Sequence, residues 1–364
     1  MPRQIPTIDL SKFDDLQSDL VLELYKAATE VGFFYVEGHG IKEAAIDRAF
    51  AAGQRFQLLS EAAKSQYKFL PDRYLGWRSQ EDLCSVTGNK LWEWASFGRY
   101  GMGGYDCRKQ VFLGESWPLE LGEGWRNECL DIQKQMHAVA SKLLQGIALA
   151  LGREQQFFEE PLDFDSEENP SFMAWNWYPA VDEQASLLPP RLHGHADMDL
   201  ITLLFQRAGD VGLEIAPGNE VEENPELHKV GNAWNTIPVA KEWTPVDAQP
   251  GCIVVNIGDG LAWWSDGILK STYHRVRSPV GSDPKGVRVS MPYFVNPKLN
   301  YQFQGPGKKF PPVSGFELLS KTGNAYEARK NDPEGKWKKQ AYQQIQEPTT
   351  FQQVEALDNA VTAN

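Results

Sequence analysis

The sequence predicts a mainly β protein with flanking helices, and three observations carry that expectation. Beyond about Pro170, short apolar runs follow one another in quick order with turn residues between them, the texture of a sandwich or small barrel. Across 120–151, apolar residues recur at three- and four-residue steps, the mark of one long amphipathic helix. No linker-like stretch separates these regions, so 1–364 is expected to form a single domain. Within it, about 1–165 would be a mixed helical and strand support and about 170–300 the β core. About 301–364 would be a charged helical region ending in a loose tail.

Taken in order, 5–10 reads as a short strand. Over 16–30, Leu20, Leu24, Ala27 and the adjoining Val31 share one helical face, and Gly32 ends the pattern. "FFYVEGHG" follows as a buried strand closed by a glycine turn, and a second helix is expected over 42–57. "PDRYLGWRSQ" and the glycine-rich 98–104 read as loops. Leu130, Met136, Val139, Leu143, Leu144, Ile147 and Leu151 form the stripe of the long helix, and Gly152 is its stop. The β runs are "SFMAWNWY", "LITLLFQ", "GLEIA", "CIVVNIG", "STYHRVR" and "VRVSMPYFV". The polar stretch 217–242, rich in Asn, Glu and Pro, reads as a surface loop inserted among them.

Composition narrows the partners. Hydrophobic residues make up 41% of the chain, enough for a sizeable core, and the twelve Trp exceed what packing alone needs, which suits an apolar ligand cavity. The net charge of −13, with no basic run longer than a pair such as Lys308-Lys309, argues against nucleic acid or an anionic membrane as partner. A small-molecule substrate is expected instead, and the oligomeric state is left open. Cys84, Cys107, Cys129 and Cys252 are scattered with no C-x-x-C pair, so reduced thiols are the simplest reading. The N-terminus lacks an apolar signal segment, and no apolar run approaches the ~20 residues that span a bilayer, so a cytoplasmic location is expected.

The chemistry concentrates in "RLHGHADMDLITLLFQ". His195 and Asp197 stand two apart at the entry to a strand, so both side chains can point to one side. His274, on another expected strand, can supply a third ligand. Two neutral imidazoles and a carboxylate on one face leave the opposite positions open for exogenous ligands, which suits iron(II). H-x-D alone is a weak signal, and His193 is a rival ligand two residues before His195. Fourteen positions after His274, Arg288 and Ser290 share one face of an otherwise apolar strand. A guanidinium fork and a hydroxyl at that spacing clamp a carboxylate, and a buried Arg needs an anion. His39 reads as a turn histidine, His137 as packed or solvated, and His228 as exposed. Asp259 reads as fixing a strand end, and Trp263 and Trp264 as core.

These motifs resemble the iron(II)/2-oxoglutarate-dependent dioxygenase superfamily, in its isopenicillin N synthase-like branch. The resemblance runs through "IPTIDLSKF", "GFFYVEGHGI", "NWYP", "HADMDLITLLFQ", "PGCIVVNIGDGLAWWSDGILKSTYHRV" and "RVSMPYFVNP", in that order. It implies a distorted double-stranded β-helix, or jelly roll, for the β core. It implies His195, Asp197 and His274 as ligands to Fe(II), with Arg288 and Ser290 on the distal carboxylate of the cosubstrate 2-oxoglutarate. Asn176 and Tyr178 would lie near the chelating end of 2-oxoglutarate. Phe294, Tyr74 and Arg78, with Trp77, would face the substrate. The implied reaction uses O2 to hydroxylate, desaturate or cyclise a small molecule, in specialised metabolism, with release of succinate and CO2. Two departures from the plant members are the long interval between Asp197 and His274, assigned to the 217–242 insert as lid or mere surface, and the turn "VGSDPKG" before Arg288. Two rival readings are an iron oxidase of the same fold that does not use 2-oxoglutarate, and a non-catalytic jelly-roll binding protein.

Overall fold

A strand covered on both faces must be apolar at alternate positions of either phase, and most strands of this chain are. The computed structural model describes residues 4–15, 18–69, 75–79, 92–102, 105–106, 111–112, 115–181, 190–216 and 243–319. The large sheet comprises β1 (Thr7–Asp9), β2 (Phe33–Glu37), β3 (Gly76–Ser79) and β4 (Glu93–Gly98) with four later strands. A short hairpin of β5 (Tyr105–Asp106) and β6 (Val111–Phe112) stands apart. The later strands are β7 (Phe172–Tyr178), β9 (Ile201–Phe205), β12 (Ile253–Ile257) and β14 (Arg288–Val295). They complete an eight-stranded sheet in the order β1-β2-β12-β9-β14-β7-β4-β3, antiparallel except for the β1–β2 pair. A four-stranded sheet faces it, with β8 (Leu192–His195), β10 (Leu213–Ile215), β11 (Thr244–Pro245) and β13 (His274–Val276) in the order β11-β10-β13-β8.

Period-two alternation sends the two phases of each large-sheet strand to different cores. Phe34, Val36, Met173, Trp175, Leu203, Val255, Met291 and Tyr293 pack against helices on the outer side. Phe33, Tyr35, Phe172, Ala174, Tyr178 and Val254 pack inward against Leu213, Ile215 and Val276 of the small sheet. The two sheets and the cavity between them form the expected double-stranded β-helix.

Helices α1 (Ser18–Lys26), α2 (Glu43–Gln57), α3 (Glu61–Ser65), α4 (Gly122–Ala150) and α5 (Asp259–Trp264) follow from the same patterning. In α4, Cys129, Ile132, Met136, Ala140, Leu143 and Ile147 are buried at three- and four-residue steps, making a support ~44 Å long at 1.5 Å per residue. Gly152 follows it with φ +68°, the left-handed stop expected there. Two indoles tie α2 in place: Trp175 Nε1 donates to the Ala49 carbonyl at 3.0 Å, and Trp125 Nε1 to the Ala52 carbonyl at 2.8 Å. After α1 a π-helical turn (Ala27–Val31) runs into Gly32, whose φ is +72° and whose N–H returns to the Ala27 carbonyl. A Cβ on Gly32 would lie 2.1 Å from the Lys270 carbonyl oxygen.

Two expectations need correction. Residues 76–79 are a strand where a loop was expected over 71–80. Trp77 faces the outer core and donates to Glu93 Oε2 at 3.2 Å, while Arg78 faces inward, an alternation hidden in a segment without β-branched residues. The neighbouring β4 was not anticipated, although "LWEWASFG" alternates in the same way. In the described part of the C-terminal region, β15 (Gln302–Phe303) pairs with β16 (Val313–Ser314), and helix starts at 315. The 217–242 insert, His228, Tyr74 and the helical stretch expected past 319 lie outside the described residues. No helix among the described residues is long and apolar enough to cross a membrane.

Candidate metal centre and ligand cavity

His195 closes β8 and His274 opens β13, and the two are register partners across that pair of strands. Lattice spacing therefore sets their separation, with ring centroids 4.3 Å apart. Asp197 lies just beyond β8, where its backbone carbonyl accepts the Asp259 N–H at 2.7 Å and so ties it to the end of β12. Asp197 Oδ1 is 3.5 Å from His195 Nε2 and 3.8 Å from His274 Nε2. The three ligand atoms all fall within 4.8 Å of one another. Ligands ~2.1 Å from one ion and at right angles to each other stand ~3 Å apart, so the cluster suits a single divalent metal.

The surrounding groups prepare each ligand. Asp197 Oδ2 accepts from Thr202 Oγ1 at 2.6 Å and from Asn256 Nδ2 at 2.9 Å, which leaves Oδ1 to the imidazoles. The Thr272 carbonyl lies 3.2 Å from His274 Nδ1; a carbonyl only accepts, so Nδ1 carries the proton and Nε2 keeps its lone pair. Burial, and then the charge of His195, lower the His274 pKa to about 4, so the ring is neutral near pH 7. Burial by itself would raise the Asp197 pKa, but His274, His195 and Thr202 outweigh it and hold the carboxyl below its usual range. Asp199 goes the other way: burial first, then the charge of Asp197, push its pKa well up. The Thr202 hydroxyl also lies 3.0 Å from Asp199 Oδ2, so it stands between the two carboxyl groups.

A cavity of about 180 Å³ between the sheets has this cluster in its wall. Arg288 and Ser290 also line it, and Arg288 is 3% exposed. Its Nη2 donates to Gln206 Oε1 at 2.7 Å, its Nη1 lies 3.4 Å from Ser290 Oγ, and its Nε meets no partner among the described residues. No carboxylate there forms an ion pair with it. Arg191, also buried, donates to the Pro179 carbonyl, and burial and then Arg288 lower its pKa. Two cations are thus held near one another, with the Asp210 carboxylate close enough to feel both but ion-paired to neither among the described residues, an arrangement that suits an anionic ligand. Tyr178 stands opposite Arg288 in register, with the guanidinium carbon 4.9 Å from its ring centroid. It therefore shares the Arg288 side of the cavity wall. Asn176 is in the wall, its Oδ1 accepting from Trp92 Nε1 at 3.0 Å.

The remaining lining is apolar: Phe33, Trp92, Trp94, Leu204, Val276 and Phe294. Phe294 stacks on Phe172 at 4.7 Å. Arg78 reaches this wall, while Trp77 faces the outer core. Sequence reasoning missed Thr202, Asn256, Gln206, Arg191, Trp92 and Trp94. Two other histidines are bland, and the side chains of His193 and His228 lie outside the described ones: His39 Nδ1 accepts the Ile41 N–H in a turn. His137 donates from Nε2 to the Leu162 carbonyl and accepts from the Tyr293 hydroxyl. Asp259 begins α5 at the end of β12, Trp264 packs on Phe303, and Trp263 Nε1 donates to the Pro311 carbonyl.

Comparison with known proteins agrees with this geometry. Residues 170–297 match the family model of the 2OG-Fe(II) oxygenase superfamily, and residues 5–120 that of the N-terminal region of the non-haem dioxygenase in morphine synthesis. A UPF0676 protein of Schizosaccharomyces pombe is 31% identical, with 81% of this chain and 82% of that protein covered. A homoarginine-6-hydroxylase of Glycine max is 30% identical, with 80% and 84% covered. The fold is shared with full-length Neurospora crassa T7H, solved in complex with alpha-KG and 5-formyluracil. That match has a TM-score of 0.71, 24% identity, and covers 88% of this chain and 96% of the other.

Proposed function

Since the chain belongs to the 2OG-Fe(II) oxygenase superfamily and is a 2-oxoglutarate-dependent Fe(II) dioxygenase, we propose that His195, Asp197 and His274 hold its iron and that the cavity beside them takes a small organic substrate. In this reading Arg288, Ser290 and Tyr178 grip the distal carboxylate of 2-oxoglutarate. Asn176 lies along the same molecule, and Phe294 and Arg78 line the substrate side. The product is a hydroxylated, desaturated or cyclised small molecule of specialised metabolism, released with succinate and CO2. One observation carries the assignment of the clamp: a buried guanidinium, without an ion-paired carboxylate among the described residues, shares a cavity with a two-histidine, one-carboxylate cluster.

Iron bound at this cluster supplies activation of O2 coupled to oxidative decarboxylation of the cosubstrate. The chain's own residues do the rest. Thr202 and Asn256 engage one oxygen of Asp197 so that the carboxylate offers a single atom. The Thr272 carbonyl fixes the His274 tautomer. Gln206, itself donating to the Val246 carbonyl at 3.1 Å, pins one arm of Arg288 and so sets the angle of the fork. The aromatic wall excludes water and orients one C–H of the substrate.

Succinate formation from 2-oxoglutarate under air, together with Fe(II) binding by anaerobic equilibrium dialysis, tests the reading. One Fe(II) per chain is expected, with affinity falling at least a hundredfold in His195→Ala and in Asp197→Ala and succinate formation lost in both. Unchanged iron binding in those variants would refute the ligand assignment.

A further inference from the structure

Arg191 stands directly ahead of β8 in the small sheet, and its side chain reaches the large one. Its Nη2 donates to the Pro179 carbonyl at 3.1 Å, just past the end of β7. Tyr178, the residue before that carbonyl, is opposite Arg288 in register, and its ring centroid lies 4.9 Å from the Arg288 guanidinium carbon. Arg191 is thus one residue removed from the pair on the Arg288 side of the cavity. Tyr178, Leu192 and Arg288 line that cavity, and Arg191 stays outside the lining. It is 5% exposed, and its Nε has no hydrogen-bond partner among the described residues.

The charges at this corner explain why a second cation is there. Asp210 lies in the turn after β9, where its Oδ2 accepts the Arg207 N–H at 3.1 Å. Burial raises its pKa, against the pull of Arg288, Arg207 and Arg191. Arg207 is exposed, and its guanidinium carbon lies 4.5 Å from the ring centroid of Phe50 in the outer core, so solvent screens it. That leaves two buried guanidinium groups and one half-buried carboxylate. Counted as ionised, Asp210 cancels one of the two cations, and the corner keeps one positive charge for a ligand carboxylate. Without Arg191 the sum is zero, and a ligand carboxylate would arrive where Arg288 is already matched, in a place that solvates charge poorly.

We infer that Arg191 is a positioning residue for the cosubstrate: from behind Tyr178 it offsets Asp210, so that Arg288 stays free to take a 2-oxo acid with a far carboxylate in preference to one with a neutral end. Its bond to the Pro179 carbonyl holds it at that place. The inference rests on the functional reading above, which gives the far carboxylate to Arg288, Ser290 and Tyr178, and adds the residue that keeps their charge available.

Calorimetric titration of the full chain, anaerobic and loaded with Fe(II), tests it with 2-oxoglutarate and with 2-oxopentanoate, the same five-carbon chain ending in a methyl group. Arg191→Gln should weaken 2-oxoglutarate about tenfold while Fe(II) affinity and any binding of 2-oxopentanoate stay as in the wild type, and Arg191→Lys should lose much less. Adding Asp210→Asn to Arg191→Gln should return 2-oxoglutarate affinity to within about threefold of the wild type, because nothing then matches Arg288. A merely structural role for Arg191 would not be repaired by that second change. Asp210→Asn alone leaves the corner more positive and should tighten 2-oxoglutarate about threefold or more, a measurement that decides the matter even where Arg191→Gln fails to fold. Unchanged 2-oxoglutarate affinity in Asp210→Asn or in Arg191→Gln overturns the inference, as does an Arg191→Gln defect that Asp210→Asn leaves in place. If Arg288→Gln binds 2-oxoglutarate as tightly as the wild type, the functional reading of the clamp fails, and this inference with it.

Discussion

Thr202 and Asn256 never touch a ligand in this reading, yet they decide how Asp197 presents itself. Thr202→Val keeps the shape and removes the shorter of the two hydrogen bonds to Oδ2. Fe(II) affinity, measured by anaerobic dialysis, should fall about 10- to 100-fold, the usual consequence of losing a group that orients a metal ligand. A variant that binds iron as tightly as the wild type would show Asp197 to be held by its backbone alone. Asp199 gives a pH signature. Its folded pKa is raised, so between the unfolded value of 3.8 and that raised value the folded chain holds a proton that the unfolded chain has lost. Its contribution is therefore complete below about pH 4 and is lost as pH rises. Asp199→Asn is neutral throughout, so urea unfolding of the metal-free proteins at pH 4.5, 5.5 and 6.5 should show the variant gaining on the wild type as pH rises above 4. Parallel curves would mean that Asp199 ionises in the fold. At this scale the sequence was legible where chemistry shows in residue type and spacing, as in H-x-D and R-x-S. It was mute where a polar side chain hides in an apolar run: Thr202 in "LITLLFQ" and Asn256 in "CIVVNIG" occupy the inward phase of their strands, and that phase was their one signal.

Among the elements, the junction between α1 and β2 does more than turn the chain. The Gly32 carbonyl accepts the Ile257 N–H at 3.0 Å, the Ala28 carbonyl accepts the Lys270 N–H at 3.0 Å, and Thr272 Oγ1 donates to the Val31 carbonyl at 2.7 Å. The N-terminal turn thus braces the segment that delivers His274. Gly32→Ala must place a methyl against the Lys270 carbonyl in a left-handed conformation, and should cost about 3 kcal/mol or more of stability. Chemical denaturation measures this, and a loss under about 1 kcal/mol would mean that the brace yields freely. Helices α1, α2 and α4 and the six strand runs expected past residue 170 were legible because their apolar periods are long or sharply bounded, whereas the short α3, α5, β8 and β11 carry too few residues to show a period. β3 and β4 escaped because a Gly-Trp-Arg-Ser strand and its tryptophan-rich partner follow the strand period without strand-typical composition.

For the molecule as a whole, the layering was legible in outline and its detail in the cavity was not, because which strand neighbours which depends on pairings far apart in sequence. By register, Arg78, Trp94, Asn176 and Ser290 form one row across the large sheet, which joins strands more than two hundred residues apart and has no local trace. The same long-range assembly splits the three putting-together points of the metal unevenly: the imidazoles ride on the small sheet, and the carboxylate is fastened to the large one through Thr202, Asn256 and the end of β12. An ion seated there acts as a rivet between two plates. Loading the chain with Fe(II) should therefore slow amide hydrogen exchange in β8 and β13 as well as in β9 and β12, although the metal touches neither of the last two. Protection confined to the small sheet would mean that the plates were already locked without it.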